Sequence, residues 1–494
     1  MKRTPYIILL LLLASCSAKV PGDALQQDRQ PAIWPDYTNL TIPSNIAPLN
    51  FRIDEPGKDF VTEFSTASAS ITVSGRKTDI PEKKWHSLLA DADRIEVSVY
   101  AKENGRWNAY RTFTLEVSDP IDPYISYRLI PPSFEQYEEL SIEQRSLESF
   151  WKKTIYTNTL VQDDQNGQCI NCHHYRNYTT DNMQFHARQY LGGTILVRDG
   201  EVSKINLKTD STLSAGVYPA WHPTHDFIAY SVNQTKQSIQ LTDPNRIEVQ
   251  DMQSDLILYN IRENAVSIIE NQPDQFECFP AWSPDGRTLY YVSAHFEAPA
   301  DDSRMGILMD NYQEIRYDLY RKPFNPDTRT WGASEMMIDA ASMGQSITLP
   351  RVSPDGRYLM FTQGGHGIFH IWHRDADLWM LDLQTDSVRP LTEINSPDVD
   401  SYHSWSSNGK WIIFSTRRDD GAYTRPYLAH LQEDGTFSKP FALPQRDPDF
   451  SQGFMYSYNI PEFMKEPVSI SPREFAGVMM EAASPVNYQN AVNE

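Results

Sequence analysis

The residues best placed to do chemistry form the run Cys169-Ile170-Asn171-Cys172-His173. Two thiols at this spacing can bond the two vinyl groups of one haem, and a histidine directly after the second thiol can bind its iron. A redox-active disulfide shares the spacing but usually opens a helix within a β-α-β pattern, and no such pattern surrounds the run. We therefore expect one covalent c-type haem on Cys169 and Cys172, with His173 as its proximal ligand.

The sixth ligand of the iron is expected from the segment that follows the motif. Met183 and His186 lie close enough in sequence for a short loop to return them to the iron. A second imidazole would lower the reduction potential, and a thioether would raise it. We expect His186 to be the ligand, with Met183 as the alternative. In a zinc site, the remaining competing interpretation, His174 or His186 would complete the ligand set.

The start of the chain has the pattern of an export signal. Two basic residues precede a short apolar run that ends in Leu13-Ala14-Ser15-Cys16. The ending resembles the lipobox of bacterial lipoproteins, which implies cleavage and acylation of Cys16, and several acyl chains anchor a protein stably. Ser17 resembles the residue choice for outer-membrane sorting. We expect a lipid-anchored envelope protein facing the periplasm, where bacteria assemble c-type haem.

A repeated motif in the second half of the chain predicts a β-propeller. In most copies an aromatic or aliphatic residue followed by Pro precedes a polar turn and an apolar strand, and three copies carry Asp-Gly or Asn-Gly in the turn. These turn residues tolerate positive φ and favour tight hairpins. The aligned positions are Trp221, Trp282, Val352 and Trp405, with a weaker match at 454–460. The spacing suits blades with insertions, five or six in number.

This motif resembles the blade repeat of the TolB-type propeller, the periplasmic partner of the Tol-Pal system. The resemblance covers about residues 190 to 465 and implies six blades. The order of a sandwich, a Cys-x-x-Cys-His segment and a TolB-like ring is also similar to a group of lipoproteins from Bacteroides-like bacteria. A resemblance to a repeat class carries no function with it, because propellers host many functions.

The rest of the chain divides by composition and periodicity. Residues 1–16 are the signal peptide, and the polar segment 17–48 predicts a tether. Alternating strands over 49–130, with a short helix at Glu82–Leu89, predict an immunoglobulin-like or fibronectin-like sandwich. Apolar residues at helical spacing within 131–190 predict a short helical haem-binding segment. Residues 191–465 are the propeller and 466–494 a C-terminal tail, so the expected fold class is all-β.

Two further groups of residues carry weaker expectations. His366, His370 and His373 fall within eight residues. On a strand, His366 and His370 would share one face, where one could reach the haem or a pair could bind a metal, although isolated surface histidines are the commoner outcome. Cys278 is expected to be a small buried thiol in a core strand.

Charge and missing motifs narrow the function. A formal net charge of −21 argues against a nucleic-acid partner, which needs clustered Lys and Arg. Hydrolase elbows and phosphate-binding loops are absent from the sequence. We expect electron transfer, or a haem-bearing subunit of an envelope redox complex whose propeller docks a protein partner. The alternatives are a binding scaffold for a protein or envelope polymer with a structural or sensory haem, and an enzyme with an open iron position.

Overall fold

The computed structural model describes residues 19–132, 139–163, 165–239, 243, 245, 247–299, 301, 303–490 and 492–493. The expected signal peptide and Cys16 therefore lie outside the described residues. No helix in the described part of the chain is long and apolar enough to cross a membrane. The fold is all-β, with α-helices at Glu82–Leu89, Arg304–Asp310, Phe450–Gly453 and Pro472–Met479. Single 3₁₀ turns occur at Asn158–Leu160, Tyr312–Glu314, Ala341–Met343 and His370–Trp372.

The N-terminal part is a sheet domain that covers one side of the remaining fold. Its strands are Leu25–Gln26, Ile33–Trp34, Leu40–Pro43, Arg52–Ile53, Asp59–Ser65, Ser70–Ser74, Arg94–Glu103, Arg106–Ala109 and Phe113–Ser118. Trp85 of the confirmed helix Glu82–Leu89 is buried in this core, which also contains Trp411 and Phe441 from the C-terminal half. The described strands form one seven-stranded sheet and one two-stranded sheet, so the immunoglobulin-like sandwich stays a prediction.

The expectation of a tether over residues 17–48 is wrong for its second half. Leu40 and Ile42 are buried in the N-terminal core. The strand Leu40–Pro43 pairs in parallel with Phe113–Ser118. Because alternate residues of this short strand bury their side chains, it belongs to the domain and the polar composition around it misled the assignment.

Antiparallel units of four strands make up the rest of the fold, named units 1 to 6 here. Unit 1 contains Ser457–Met464, Tyr124–Ile130, Ser141–Ser146 and Lys152–Thr157. Unit 2 contains Gln168–Arg176, Thr179–Gln189, Gly193–Arg198 and Glu201–Asn206. Unit 3 contains Val217–Trp221, Phe227–Ile239, Ile247–Asn260 and Ala265–Glu270. Unit 4 contains Gln275–Trp282, Thr288–His295, Asp318–Asn325 and Glu335–Ile338. Unit 5 contains Ser346–Val352, Tyr358–Gly364, Asp377–Asp382 and Ser387–Pro390. Unit 6 contains Asp400–Trp405, Trp411–Thr416, Arg425–His430 and Phe441–Ala442.

The six units form a propeller-like ring. The first strand named for each unit contacts the corresponding strand of the next unit, and the strand of unit 6 contacts that of unit 1. Ser457–Met464 pairs antiparallel with Tyr124–Ile130, so a strand from near the C-terminus completes unit 1. The expected C-terminal tail adds the short strands Ser484–Pro485, Asn487–Tyr488 and Val492–Asn493 to units 2, 3 and 4, where the last pairs with Thr330–Trp331. This closure joins distant parts of the chain, and every residue of Ser457–Met464 is buried.

Each innermost strand carries the same irregularity. One non-glycine residue per strand has φ between 46° and 55°, and the pairing register skips that residue and the next. Positive φ is uncommon for side-chain-bearing residues, so six equivalent cases define a structural repeat. The six skipped pairs are Cys172-His173, Tyr218-Pro219, Phe279-Pro280, Leu349-Pro350, Tyr402-His403 and Ile460-Pro461. The Cys172-His173 pair thus occupies the position of the aliphatic or aromatic residue and proline of the repeat.

The expected helical segment over 131–190 is wrong. Its described residues form the strands Ser141–Ser146, Lys152–Thr157, Gln168–Arg176 and Thr179–Gln189, with a single 3₁₀ turn at Asn158–Leu160. The strand Ser141–Ser146 buries Ile142, and Lys152–Thr157 buries Ile155. The buried residues of two short strands, Ile142 in the first and Ile155 and Tyr156 in the second, produced a spacing that imitates one helix. The ring therefore begins before residue 191.

Replacing Gly286 with alanine should destabilise the ring more than the same change at Gly356. Both glycines close equivalent turns at φ of 70° and 75°. A Cβ at Gly356 would lie 3.8 Å from Pro284, whereas a Cβ at Gly286 would overlap the buried His222 ring, which donates a hydrogen bond to the Gly286 carbonyl. We expect Gly356→Ala to cost about 1 kcal/mol for the backbone and Gly286→Ala about 1–3 kcal/mol more for the overlap. Urea unfolding measures both, and equal losses would refute the packing argument.

Candidate functional site

Cys169 lies in the wall of a cavity that residues of units 1, 2, 3 and 5 enclose. The cavity has a volume of about 650 Å³, and its wall includes Cys169, Asn171 and His186 of unit 2. Cys169 is half-buried on the strand Gln168–Arg176, and Asn171 is the cross-strand partner of His186. Volumes of 300–1,000 Å³ are typical of cavities that hold small molecules and cofactors. The first thiol of the motif is therefore accessible from a cavity of ligand size.

Basic side chains line the same cavity. Arg128, Arg188 and Lys208 all contribute to its wall. Arg128 is buried and its Nη1 donates a hydrogen bond of 3.0 Å to the Ile170 carbonyl, next to Cys169. Guanidinium groups bind carboxylates through paired hydrogen bonds. The wall thus favours an anionic ligand although the whole chain is acidic.

Cys172 lies outside the cavity wall. It is buried, and its thiol lies against the backbone of Tyr218 in unit 3. Burial raises the pKa of this thiol, so it stays protonated at neutral pH. Cys172 has φ of 53°, at the point where the register skips two residues. The strand is irregular at this cysteine, and the two thiols do not face the same space in this conformation.

His173 is a buried imidazole without a hydrogen-bond partner. Its side chain has no exposure, and neither Nδ1 nor Nε2 meets the geometry of a hydrogen bond, although the Ile460 backbone lies close enough to act on the pKa of the ring. Burial lowers the pKa of His173 to about 4, although Glu462, whose Oε2 lies 3.7 Å from Nε2, opposes this shift. The ring is therefore neutral at physiological pH and offers a free lone pair. An unsatisfied buried group of this kind is costly and calls for an explanation.

Glu462 connects the motif to the strand that closes the ring. The Nδ1 of His174 lies 2.7 Å from Glu462 Oε1. Burial alone would raise the pKa of Glu462, but His174 and His173 hold it below its ordinary value. Glu462 belongs to the strand Ser457–Met464 of unit 1. His174 thus interacts with a carboxylate that lies 288 residues away in sequence. A pair so far apart leaves no local pattern from which it could be predicted.

The two candidates for the sixth ligand have different surroundings. His186 is buried, lines the cavity, and its Nδ1 lies 3.0 Å from Thr194 Oγ1. Burial lowers the pKa of His186 to about 3, with Arg188 acting in the same direction. Met183 is fully buried in an apolar core with Ile170. Of these two side chains, His186 is the one at the cavity wall, oriented by a hydroxyl group.

A second cavity is lined by residues from the innermost strands of all six units. Its volume is about 360 Å³, and its wall includes Trp221, Trp282 and Trp405 of the repeat together with Glu462. The indole Nε1 of Trp282 donates to the Ala220 carbonyl and that of Trp405 to the Arg351 carbonyl, at 3.0 and 3.2 Å. Trp282 and Trp405 thus brace neighbouring units, and all three tryptophans contribute to the wall of this cavity.

The two weaker expectations have different outcomes. Cys278 is a fully buried free thiol on the strand Gln275–Trp282, as expected. The segment from His366 to His373 is not a strand, because a 3₁₀ turn at His370–Trp372 follows the loop after Gly364. His370 is engaged by Thr348 and by the His366 carbonyl. His366 and His373, which were expected on opposite faces, instead lie next to each other.

Comparisons with known proteins give limited information. No family model matches the chain. An uncharacterized peptidase of Bacillus subtilis (strain 168), YuxL, is 25% identical over 159 residues, which is 29% of this chain and 22% of that protein. The chain thus matches about a fifth of the length of this curated relative.

Solved structures with β-propeller-like folds resemble the chain remotely. An oligogalacturonate lyase in complex with manganese is 11% identical, with a TM-score of 0.37, and the match covers 64% of this chain and 73% of the lyase. A mutant apocarotenoid oxygenase of Synechocystis is 11% identical, with a TM-score of 0.36, and the match covers 88% of this chain and 97% of the oxygenase. At these values neither resemblance carries an argument about activity. The chain is all-β with a propeller-like arrangement, and its function has to be argued from its own residues.

Proposed function

We propose that the chain is an envelope haem c protein that transfers electrons, with the haem bonded to Cys169 and Cys172. The observation that carries the proposal is the buried His173 imidazole, which directly follows the second thiol and meets hydrogen-bond geometry at neither nitrogen. A metal ion that took its lone pair would remove the cost of this unsatisfied group. The chemistry of two thiols and one neutral imidazole fits a c-type haem.

The cavity beside Cys169 fits the group in size and in charge. Arg128, Arg188 and Lys208 in its wall would bind the carboxylates of the haem propionates. Cys172 and His173 lie outside this wall, so attachment requires the strand to turn both residues toward the cavity. The pairing register skips both residues between Asn171 and His174, so neither has a cross-strand partner in the ladder.

A competing explanation is that Cys172-His173 only fills the two skipped positions of the structural repeat. A comparison of His173 with the equivalent histidine of unit 6 argues against it. In unit 6 the equivalent position is His403, whose Nε2 donates a hydrogen bond of 3.0 Å to the Met360 carbonyl. A histidine that fills the proline position of the repeat can therefore bond one ring nitrogen to a backbone carbonyl, although His403 Nδ1 has no hydrogen-bond partner. His173 occupies the same position without doing so. The repeat explains the irregular strand but leaves the unpartnered imidazole without a role.

His186 determines which redox chemistry the site favours. A bound haem would supply a one-electron couple, and two imidazoles held on its iron by His173 and His186 would favour electron transfer over catalysis. The hydrogen bond to Thr194 fixes the orientation of the His186 ring at the cavity wall. Burial keeps the ring neutral, so its other nitrogen would be available as a ligand. The proposal includes acylation of Cys16 and an outer-membrane location facing the periplasm, which rest on the sequence.

The experiment that tests electron transfer compares His186→Ala with Met183→Ala in haem-loaded protein. We expect the wild type to have a six-coordinate low-spin spectrum and reversible reduction without carbon monoxide binding. His186→Ala should become high-spin and bind carbon monoxide. Met183→Ala should keep the low-spin spectrum while losing about 2–5 kcal/mol of stability, because this Met is buried in the core. A five-coordinate wild type would overturn electron transfer, and the opposite pattern would make Met183 the ligand.

A binding scaffold is the second candidate function. The cavity of about 360 Å³ that Trp221, Trp282 and Trp405 line is separate from the cavity beside Cys169. Aromatic side chains in a concave site are typical of the centre of recognition surfaces. This observation favours a docked partner at that side of the ring, with the haem in a structural or sensory role.

A further inference from the structure

We propose that Glu248, His366 and His373 bind a divalent transition metal of the zinc class. One ligand atom of each residue lies within 4.8 Å of the others. The Nε2 atoms of His373 and His366 lie 2.9 and 3.3 Å from Glu248 Oε2. Two imidazoles and one carboxylate are the donor set of zinc sites with three protein ligands, and imidazole excludes magnesium and calcium as preferred ions.

Burial and unmet hydrogen bonding distinguish this cluster from a chance group of polar residues. The side chains of Glu248 and His373 are 1% and 0% exposed, and that of His366 is 13% exposed. Despite the short separations, the geometry of a hydrogen bond is not met at either carboxylate oxygen, at His366 Nε2 or at either nitrogen of His373. Buried polar atoms that converge without bonding one another leave their lone pairs directed at a shared space. A cation in that space would satisfy them together.

The surrounding residues hold the histidines in place for such a site. The His366 ring packs edge-on against Tyr312, with ring centroids 5.4 Å apart. The His366 carbonyl accepts a hydrogen bond from His370 Nε2, and His370 Nδ1 lies 3.0 Å from Thr348 Oγ1. His370 is therefore a positioning residue outside the ligand set. Outer contacts of this kind orient ligands and tune metal affinity.

The position of the cluster indicates a structural role. Glu248 lies at the start of Ile247–Asn260, which pairs with Phe227–Ile239 in a hairpin longer than those of the other units. Both histidines belong to the loop of unit 5. Ile247 and Val249 line the cavity beside Cys169, and side chains alternate along a strand, so Glu248 faces away from that cavity. A bound metal would clamp the hairpin of unit 3 onto unit 5 and fix one wall of the cavity.

Metal analysis of untagged protein tests the site. After incubation with zinc chloride and gel filtration, we expect about one zinc per wild-type chain at this site. Glu248→Gln and His366→Gln should each lower its affinity by about 100-fold or more. His366→Gln guards against misfolding, because this side chain is the most exposed of the three. Glu277→Gln, a buried carboxylate in unit 4 outside the cluster, should bind zinc as the wild type does.

A second readout separates this site from zinc at the cysteine pair. Addition of zinc should slow amide hydrogen exchange in the strand Phe227–Ile239 of the wild type. In Glu248→Gln, addition of zinc should leave the exchange rate of this strand unchanged. Zinc at Cys169 and Cys172 would persist in Glu248→Gln and disappear in the cysteine variants. Equal zinc content and equal exchange in wild type and Glu248→Gln would overturn the proposal, whatever the outcome for haem.

Discussion

The Cys169→Ala/Cys172→Ala variant is expected to lose all haem that survives denaturation, whereas Cys278→Ala keeps the wild-type amount. Only thioether bonds hold a haem through boiling in detergent, and each needs one thiol of the motif. Cys278 is fully buried, and Ser231 Oγ lies 3.4 Å from its sulfur, so it serves as a matched cysteine in a core strand. Haem staining of a denaturing gel, with the protein expressed beside a c-type maturation system, measures the difference.

The single variants Cys169→Ala and Cys172→Ala differ in their risk to folding. Cys169 is half-exposed and Cys172 is buried, so Cys172→Ala is the change with the larger risk to folding, since removing buried atoms leaves a cavity. Circular dichroism of the wild type, the double variant, the two single variants and Cys278→Ala controls for this. Staining of the double variant at the level of Cys278→Ala would contradict covalent attachment at the motif.

His173→Ala is expected to abolish the low-spin spectrum, and His403→Ala should leave it intact. The two histidines occupy equivalent positions in units 2 and 6, and both are buried. His403 gives up a hydrogen bond to the Met360 carbonyl when it is replaced, so His403→Ala should lose at least as much stability as His173→Ala. If His173 has only a structural role, His173→Ala should lose more stability than His403→Ala. It should also leave the low-spin bands unchanged.

Absorption spectra and urea unfolding of the two variants measure these effects side by side. Normal low-spin bands in His173→Ala would remove His173 from the ligand set. A loss of the bands in both variants would show that the ring as a whole, rather than the His173 nitrogen, supports the site.

Sequence patterns predicted the ring where its repeat is well preserved. Trp221, Trp282 and Trp405 mark units 3, 4 and 6 because each combines an aromatic residue with a turn and an apolar strand. The short helix Glu82–Leu89 was also predicted, since Trp85, Leu88 and Leu89 fall on one side of it. Local periodicity is enough for elements of this kind.

Units 1 and 2 were predicted only in part, for two physical reasons: only the weak match at 454–460 and the strands after residue 191 fell within the expected propeller. Unit 1 combines Ser457–Met464 with strands more than 300 residues earlier, and pairing between distant segments leaves no local signal. In unit 2, Cys172-His173 replaces the aromatic or aliphatic residue and proline of the repeat. The repeat therefore could not be recognised at this strand from the sequence.

The candidate metal ligands show a similar limit. His366 and His373 are close in sequence, but their alternation on a strand was expected to separate them. A 3₁₀ turn at His370–Trp372 brings them together instead. Glu248 comes from another unit through a long hairpin, and its spacing from other acidic residues carries no metal-binding pattern. Such a site emerges only from the tertiary structure.

Mass spectrometry of the tryptic peptide 154–176 tests the covalent haem most directly. Cleavage after Lys153 and Arg176 places Cys169, Cys172 and His173 in one fragment. In protein from a maturation-competent host, we predict that this peptide carries the mass of one haem and that neither thiol reacts with iodoacetamide. A peptide of unmodified mass whose two thiols both react would contradict the proposed haem c function.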